Sequence, residues 1–168
     1  MRKSKSKLLA IAPVAAALLI AGCGGASYGG SGTSGAAANA APSKTAGTAS
    51  SVALASSKFG KILVDSHGRT LYLFAADKGT TSTCYGACAS LWPPLPATGA
   101  PKAGTGVSAS LLGTTKRTDG TTEVTYAGHP LYYYAPDTAA GSITGQDISQ
   151  FGAKWYVLTA NGKEITHG

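Results

Sequence analysis

The sequence lacks most of the patterns that mark a metal or phosphate-binding centre. Its only Met is the first residue, so the rest of the chain has no thioether ligand. This argues against a soft copper site, which favours Cys and Met ligands. His67, His129 and His167 are too scattered to form the H-x-x-H or H-x-x-x-H spacing of a metal site. No G-x-x-x-x-G-K-[ST] phosphate-binding loop is present. The sequence therefore predicts no catalytic residue, no metal and no cofactor.

Charged residues are also few, and most of the positive excess lies at the start of the chain. Lys and Arg number 14 against seven Asp and Glu, for a formal net charge of +7. Arg2, Lys3, Lys5 and Lys7 precede the first apolar run, whereas from Lys58 onward nine basic residues stand against seven acidic ones. The remaining excess of two positive charges is too small to indicate a nucleic-acid partner.

No apolar run is long enough to cross a bilayer comfortably, because a spanning helix needs about 20 apolar residues. The longest run, Leu8–Gly22, follows the basic start and contains Pro13. A basic start and a short apolar run that ends in small residues are typical of a secretory signal peptide, which we assign to residues 1–22. The segment Ile20-Ala21-Gly22-Cys23 that closes it resembles the bacterial lipobox.

Cys23 is the residue that a lipobox makes the lipidated N-terminus of the mature protein. Its thiol takes a diacylglyceryl group before cleavage, and acyl chains such as palmitate hold a protein lastingly when there are two or more of them. The sequence therefore predicts a lipoprotein on the extracytoplasmic face of the cell membrane, with the membrane as its partner through this anchor. The alternative is an ordinary signal peptide followed by a chance Cys.

The segment from Gly24 to Ser57 contains almost no large apolar side chain. Gly, Ser, Ala and Thr dominate it, and such a segment cannot offset the entropy that it would lose on ordering. We therefore expect residues 23–57 to comprise the lipidated Cys and a flexible tether. The alternative is that Val52-Ala53-Leu54 docks on the domain as an edge strand.

Residues 58–168 have the composition of one small, mostly β domain. Both Trp, all three Phe and seven of the eight Tyr lie here. Short β-branched and aromatic runs alternate with Gly and Asp-Gly turns, which is typical of β-hairpins. Only residues 83–91, around the two remaining Cys, favour a short helical turn. The predicted strands are 61–65, 70–74, 113–117, 122–126 and 155–158, and residues 160–163 are the predicted turn of a third hairpin.

The domain contains an internal repeat. A strand, a Gly turn, an L-Y-x-aromatic-x-x-D segment, a variable loop and a strand that opens with Trp follow in the same order in each half. The predicted repeats are about 58–112 and 113–168, and we expect them to share one core with approximate two-fold symmetry. Gly68, Leu71, Tyr72, Phe74 and Asp77 recur 60 positions later as Gly128, Leu131, Tyr132, Tyr134 and Asp137, and Trp92 and Leu95 recur 63 positions later as Trp155 and Leu158.

The segments LYLFAAD, LYYYAPD and STCYGACASLWPPL resemble a bacterial family of predicted lipoproteins with a Yx(FWY)xxD motif, the secreted repeat of unknown function. The resemblance extends from Gly60 to Gly162 in the family's order, and the lipobox agrees with it. It implies an exported protein with this two-repeat fold, but it implies no biochemical activity. The second half departs from the first because it lacks the Cys pair.

Six residues of the two motifs are the candidate binding site. Residues two apart on a strand share a face, so each repeat presents two aromatic rings side by side, with an Asp where the strand ends. In one interpretation these rings and the repeat-core residues Trp92 and Trp155 build the core, while the Asp residues accept turn N–H groups. In the other, which is the main hypothesis, they form a binding face for an unknown envelope ligand or protein. The six motif residues are Tyr72, Phe74, Asp77, Tyr132, Tyr134 and Asp137.

Two chemical alternatives stay open beside this binding or structural module, which we predict is not an enzyme. If the symmetry axis brings Asp77 and Asp137 together, one carboxyl keeps a proton and the pair can act as acid and base in an envelope hydrolase. Cys84 and Cys88 are the only thiols besides the lipidated one, so in an oxidising compartment we expect a disulfide between them. Their alternative role is a redox-active pair in an electron-transfer accessory, although C-x-x-x-C is not the spacing of thioredoxin-like sites.

Overall fold

A computed structural model describes residues 49–166, so the predicted signal peptide, Cys23 and most of the predicted tether lie outside the described residues. The described part is a single small domain of mostly β structure, as predicted. A short helix confirms the helical turn expected within residues 83–91. The elements are β1 (Ser51–Ser57), β2 (Gly60–Asp65), β3 (Tyr72–Phe74), α1 (Ala87–Leu91), β4 (Lys102–Ala103), a 3-10 turn (Ala109–Leu111), β5 (Leu112–Lys116), β6 (Thr122–Tyr126), β7 (His129–Pro130), β8 (Ser149–Gln150) and β9 (Ala153–Val157).

The strands of the described residues form three small sheets. Their orders are β2-β1-β4, β3-β9-β8 and β5-β6-β7, and every pair is antiparallel except β1 with β4. The β1–β2 hairpin of the first repeat and the β5–β6 hairpin of the second correspond to each other. In the first, Val52 faces Asp65, and in the second, Leu112 faces Tyr126.

The first strand corrects the predicted start of the domain. β1 pairs with β2 on one side and with β4 on the other, and Val52 is fully buried. The prediction that the tether continues through residue 57 is therefore wrong. Val52-Ala53-Leu54 does join a sheet, but in its middle rather than at its edge. Ala and Ser, which are poor or neutral strand formers, dominate β1, so its stability comes from packing that composition does not reveal.

Two hairpins form where their turn residues predict them. Asp119 and Gly120 connect β5 to β6, and Gly120 adopts the left-handed backbone (φ +84°) that such a turn requires. The third hairpin follows β9, where the Thr159 N–H donates to the Lys163 carbonyl at 2.8 Å. Gly162 supplies the positive φ there, at +75°.

The two repeats are interlocked through two Trp segments, residues 92–96 and 155–158, because each bonds the hairpin of the other repeat. The Leu63 N–H of the first repeat donates to the Leu158 carbonyl of the second at 3.1 Å. The Val124 N–H of the second repeat donates to the Leu95 carbonyl of the first at 2.9 Å. The exchange is reciprocal, so the repeats share one core.

Within the described residues, the predicted strand that opens with Trp forms only in the second repeat, within β9. In the first repeat Trp92 follows α1, and Pro94 and Pro96 make isolated bridges because Pro has no N–H to donate to a ladder.

The approximate two-fold axis passes between Tyr72 and Tyr132. The Tyr72 N–H donates to the Tyr132 carbonyl at 2.8 Å, and the Tyr132 N–H donates to the Tyr72 carbonyl at 2.9 Å. Such a mutual exchange of both bonds is the hydrogen-bonded pair of an antiparallel ladder. Two equivalent segments therefore meet here head to tail.

The buried side chains form an aromatic cluster and a mainly aliphatic cluster. Ile62 and Val64 belong to the first and Leu63 to the second, because successive side chains of a strand point to opposite faces. In the same way Tyr72 enters the aromatic cluster and Leu71 the aliphatic one. The central strands are therefore buried on both faces, and the motif strands lie between the two clusters.

Candidate functional site

Two motif rings and the two Trp form a stack of four rings within the aromatic cluster, which we call the four-ring stack. Its order is Phe74, Trp155, Trp92, Tyr134, with centroid separations of 4.1, 3.9 and 4.2 Å. The two Trp planes differ by only 6°. Each Trp stacks on a ring of the opposite repeat, because the Trp segments are exchanged. Aromatic pairs of this kind contribute about 0.5–1.5 kcal/mol beyond the area that they bury.

The two remaining motif rings flank the four-ring stack and bond across the repeats. Tyr72 and Tyr132 each meet a Trp edge-on, at centroid distances of 5.4 and 5.2 Å. The Tyr72 hydroxyl donates to Oδ2 of Asp137 at 2.5 Å. The Tyr132 hydroxyl donates to Oδ2 of Asp77 at 2.8 Å. The motif of one repeat is therefore completed by the motif of the other.

The second carboxylate oxygen of each Asp organises the loop that follows it. Oδ1 of Asp77 accepts the N–H and the hydroxyl of Thr83 at 2.7 and 2.8 Å. Oδ1 of Asp137 accepts the N–H and the hydroxyl of Thr144 at 3.0 and 2.5 Å. Each Asp thus closes the variable loop of its own repeat and ties it to the Tyr of the other, by the side-chain-to-backbone bonding typical of Asp in turns.

The structure places the six motif residues inside the protein. Five of them are buried and Asp77 is half-buried. Burial raises the pKa of the Asp77 carboxyl, and burial also raises the pKa of the Tyr72 and Tyr132 hydroxyls above their ordinary value. The prediction of an exposed binding face made by these rings is therefore wrong. Their contacts agree with the other interpretation, in which the rings build the core and the Asp residues cap loops.

Asp77 and Asp137 do not form the carboxyl pair that the hydrolase hypothesis needs. Each carboxylate accepts from a Tyr of the opposite repeat and a Thr of its own repeat. Within residues 49–166 no hydrogen bond joins the two carboxylates. An acid–base pair depends on two titratable groups that share or exchange a proton. The arrangement offers no such exchange.

A buried ionic cluster that sequence reasoning missed surrounds Arg117. Nη1 of Arg117 donates to the Ser82 hydroxyl at 2.8 Å and to Oε2 of Glu123 at 2.9 Å. Its Nη2 donates to the Cys84 carbonyl at 2.6 Å, and its Nε donates to Asp119 at 3.2 Å. The side chains of Arg117 and Glu123 have no exposed surface. We call Arg117, Ser82, Glu123 and Asp119 the Arg117 cluster.

Glu123 is the incompletely bonded member of the Arg117 cluster. Its Oε1 is buried and has no hydrogen-bond donor among the described residues. Burial raises the pKa of the Glu123 carboxyl to about 7, although the Arg117 guanidinium favours the ionised form. The available sequence signal was positional, since Arg117 and Glu123 flank the Asp-Gly turn on one face of the hairpin as diagonal neighbours. The Ser82 hydroxyl also donates to the Tyr132 hydroxyl oxygen at 2.7 Å, because the single Tyr132 proton goes to Asp77, and this bond joins the cluster to the motif.

Cys84 and Cys88 form the predicted disulfide. Both are buried, with exposed fractions of 0% and 6%. The Arg117 guanidinium lies 4.4 Å from the centroid of the Tyr85 ring between them and bonds the Cys84 carbonyl, so it holds the disulfide loop on the β5–β6 hairpin. Reactive thiols lie in partly exposed, electropositive surroundings. Two buried sulfurs agree better with a structural bond.

Both repeats match one known family model. The model of the secreted repeat of unknown function matches residues 53–96 and again residues 113–159, more than half of the chain in total. The chain belongs to this family. Each match covers a hairpin, a motif and a Trp segment, so the family's repeat is half of the interlocked domain. Comparison with curated proteins and with solved structures gives no match.

The two secreted repeats differ where the first carries its disulfide. Gly145 of the second repeat follows Thr144 as Cys84 follows Thr83, and it packs so closely that an added Cβ would lie 2.7 Å from the Trp92 ring. The Gly145 N–H donates to the Tyr72 hydroxyl at 3.2 Å. The second secreted repeat therefore closes its loop by close backbone packing, where the first uses a disulfide and the Arg117 cluster.

The surface of the secreted-repeat domain carries two open grooves of about 690 Å³ each. One lies beside β5 and the segment 97–101, and the other lies between the β1–β2 hairpin and residues 140–144. None of the six motif residues lines either groove. Between residues 49 and 166, no three His, Cys, Asp or Glu side chains are grouped to hold a metal ion, and no helix is long and apolar enough to cross a membrane.

Proposed function

We propose that this protein is a lipoprotein, anchored through Cys23 to the extracytoplasmic face of the cell membrane, whose domain is a non-catalytic binding or structural module. The lipobox-like Ile20-Ala21-Gly22-Cys23 and membership of a secreted-repeat family support export and anchoring. The interlocked core supports a rigid module. Its partner is an envelope ligand or protein that meets the surface outside the motif.

The reciprocal bonding of the motif is the observation that carries the non-catalytic assignment. Among the groups of the motif that could transfer protons, the Tyr72 and Tyr132 hydroxyls and the two Asp carboxylates are bonded to each other across the repeats. A catalytic acid or base must come within hydrogen-bond reach of a proton on its substrate. These groups instead meet other protein groups, and five of the six motif side chains are buried.

Metabolic labelling with an alkyne analogue of palmitate tests the anchor. The full chain is expressed in a bacterium that processes lipoproteins, and we expect the label on the wild-type protein and its loss in Cys23→Ser. The double variant Cys84→Ser and Cys88→Ser is the matched control and should keep the label, because those sulfurs lie in the folded domain. An unlabelled wild-type protein, exported and cleaved, would overturn the proposed anchor.

A further inference from the structure

The hairpin between β8 and β9 carries an exposed aromatic ring at its tip. Gln150 pairs with Ala153, so Phe151 and Gly152 form a two-residue turn. Both turn residues have positive φ, +56° for Phe151 and +91° for Gly152, as a type I′ turn requires. Phe151 is 47% exposed, and it is the only large apolar side chain exposed in the described part of the chain.

Neither the turn nor the repeat explains a Phe at this position. The first position of such a turn favours Asn, Asp or Gly, because the Cβ of other residues is crowded in the left-handed region. A bulky residue there is an outlier whose strain the surrounding structure must offset. The residue 63 positions earlier in the first repeat is Cys88, which is buried in α1. Phe151 is therefore a feature of this hairpin alone.

The base of the hairpin is fixed to the four-ring stack. The side-chain oxygen of Gln150 accepts the indole N–H of Trp92 at 2.9 Å, and the Gln150 carbonyl accepts the indole N–H of Trp155 at 3.3 Å. Outside the core, Nζ of Lys154 lies 2.6 Å from Oδ1 of Asp147. A ring held on such a base loses little conformational entropy when it binds.

We propose that Phe151 inserts into the lipid surface to which Cys23 anchors the chain, an inference that rests on the proposed anchor. Ser149, Gly152 and Lys154, its neighbours along the hairpin, are exposed and polar or small, and no other large apolar side chain of residues 49–166 is exposed, so the ring is not part of the apolar patch of a protein interface. One half-exposed ring binds a bilayer too weakly to hold a free domain. The anchor keeps the domain close to the bilayer, so the effective concentration of lipid around Phe151 is high and the weak contact forms. The contact then turns one side of the domain toward the membrane.

Chemical anchoring tests the insertion without relying on lipidation in the cell. The mature chain, residues 23–168, is prepared with Phe151→Trp and coupled through the Cys23 thiol to a maleimide lipid. The other two cysteines are joined in the disulfide and do not compete. The carrier is a vesicle of brominated phosphatidylcholine, which quenches only an indole that enters the bilayer.

We expect the substituted indole to be quenched and its emission to move to shorter wavelength when the protein is coupled, and neither change without coupling. Trp92 and Trp155 have no exposed surface, so their emission gives an unquenched baseline. Thr118→Trp, at the exposed tip of the β5–β6 hairpin, is the matched control and should show no quenching. Circular dichroism verifies that both variants keep the fold.

Three results would overturn the insertion. The first is an unquenched indole in coupled Phe151→Trp, and the second is equal quenching of Thr118→Trp. The third is a concentration-dependent oligomer that protects the ring without vesicles, which would assign it to a protein interface. Because the coupling is chemical, absence of the palmitate label from the wild-type protein in cells would refute the anchor and would leave the quenching result interpretable.

Discussion

The Tyr72 and Tyr132 hydroxyls are the residue-scale links between the two repeats. Each donates to a carboxylate whose other oxygen organises a loop, so one carboxylate joins a ring of one repeat to a loop of the other. Hydrogen bonds to an ionised acceptor are about twice as strong as neutral ones. Their burial also makes them costly to lose, because a stranded carboxylate oxygen cannot be solvated.

Removal of one such hydroxyl should destabilise the domain. Tyr72→Phe leaves Oδ2 of the buried Asp137 without its Tyr donor, and we expect the free energy of unfolding to fall by about 2 kcal/mol. Urea titration followed by Trp fluorescence measures this loss. Tyr156→Phe is the matched control, since Tyr156 is a half-buried residue whose hydroxyl has no hydrogen bond shown within residues 49–166, and its removal should change stability by less than about 0.5 kcal/mol. Equal losses in the two variants would contradict the role assigned to the motif hydroxyl.

The sequence contains the residues of this site but not their partners. The spacing of Tyr72, Phe74 and Asp77 predicts a strand with two rings on one face and an Asp at its end, and the structure agrees. The same spacing is equally compatible with a Tyr–Asp bond inside one repeat and with a bond between repeats. The alternation of side chains along the motif strand also does not determine which of them are exposed, because a strand that lies between two clusters is buried on both faces.

At the scale of elements, the Arg117 cluster fastens α1 and the disulfide loop to the β5–β6 hairpin. The guanidinium reaches the Cys84 carbonyl from one side and Glu123 from the other. A buried ion pair adds little net stability, but removal of one partner leaves an unpaired charge and is strongly destabilising. The main effect of the Arg117 cluster is therefore to fix the position of the disulfide loop on the β5–β6 hairpin, and its net contribution to stability is small.

Glu123 should make the stability of the domain depend on pH. Its pKa is about 7 in the folded state against an ordinary 4.5, so the folded state binds this proton more tightly. The free energy of unfolding should therefore fall as the pH rises from about 4.5 to 7, and be regained on acidification through that range. Burial raises the pKa of Asp77 and adds to this trend. Bonding to Thr121 lowers the pKa of the exposed Asp119 and acts in the opposite sense, in more acidic solution.

Urea titrations between pH 5 and pH 8 measure this dependence. Glu123→Gln should remove most of the slope, because an amide does not titrate. Glu164→Gln is the control, since this Glu is exposed in the second repeat and its removal should leave the slope intact. A slope unchanged in Glu123→Gln would show that another group carries it.

Elements with their own turn chemistry were predictable, and elements that depend on packing were not. The Asp119-Gly120 hairpin follows from its turn dipeptide, and the strands around it fall within one residue of the prediction. β1 was not predicted as part of the domain, because its composition is mostly Ala and Ser, and packing of Val52 and Leu54 stabilises it. The Arg117–Glu123 pair was not predicted, because charged residues near a turn are usually solvated. Here the disulfide loop of the first repeat packs on Arg117, which the sequence does not reveal.

At the scale of the whole molecule, neither repeat has a core of its own. The four-ring stack takes two rings from each, and the Trp segment of each repeat bonds the hairpin of the other. The sequence repeat predicts a shared core. It does not predict which hairpin each Trp segment bonds, because the spacing is the same whether the segment returns to the hairpin of its own repeat or packs on that of the other. Interlocking also explains why the matched family segment occurs twice in one domain.

Fragment complementation tests the interlocking most directly. The chain from Cys23 onward is divided between the exposed Ser108 and Ala109, which separates the two matched segments, and near-ultraviolet circular dichroism of the stacked Trp reports the core. We predict that residues 23–108 and 109–168 are each unfolded alone and regain the native spectrum in a one-to-one mixture. A native spectrum from either fragment alone would show that a repeat folds by itself and would contradict the interlocked core.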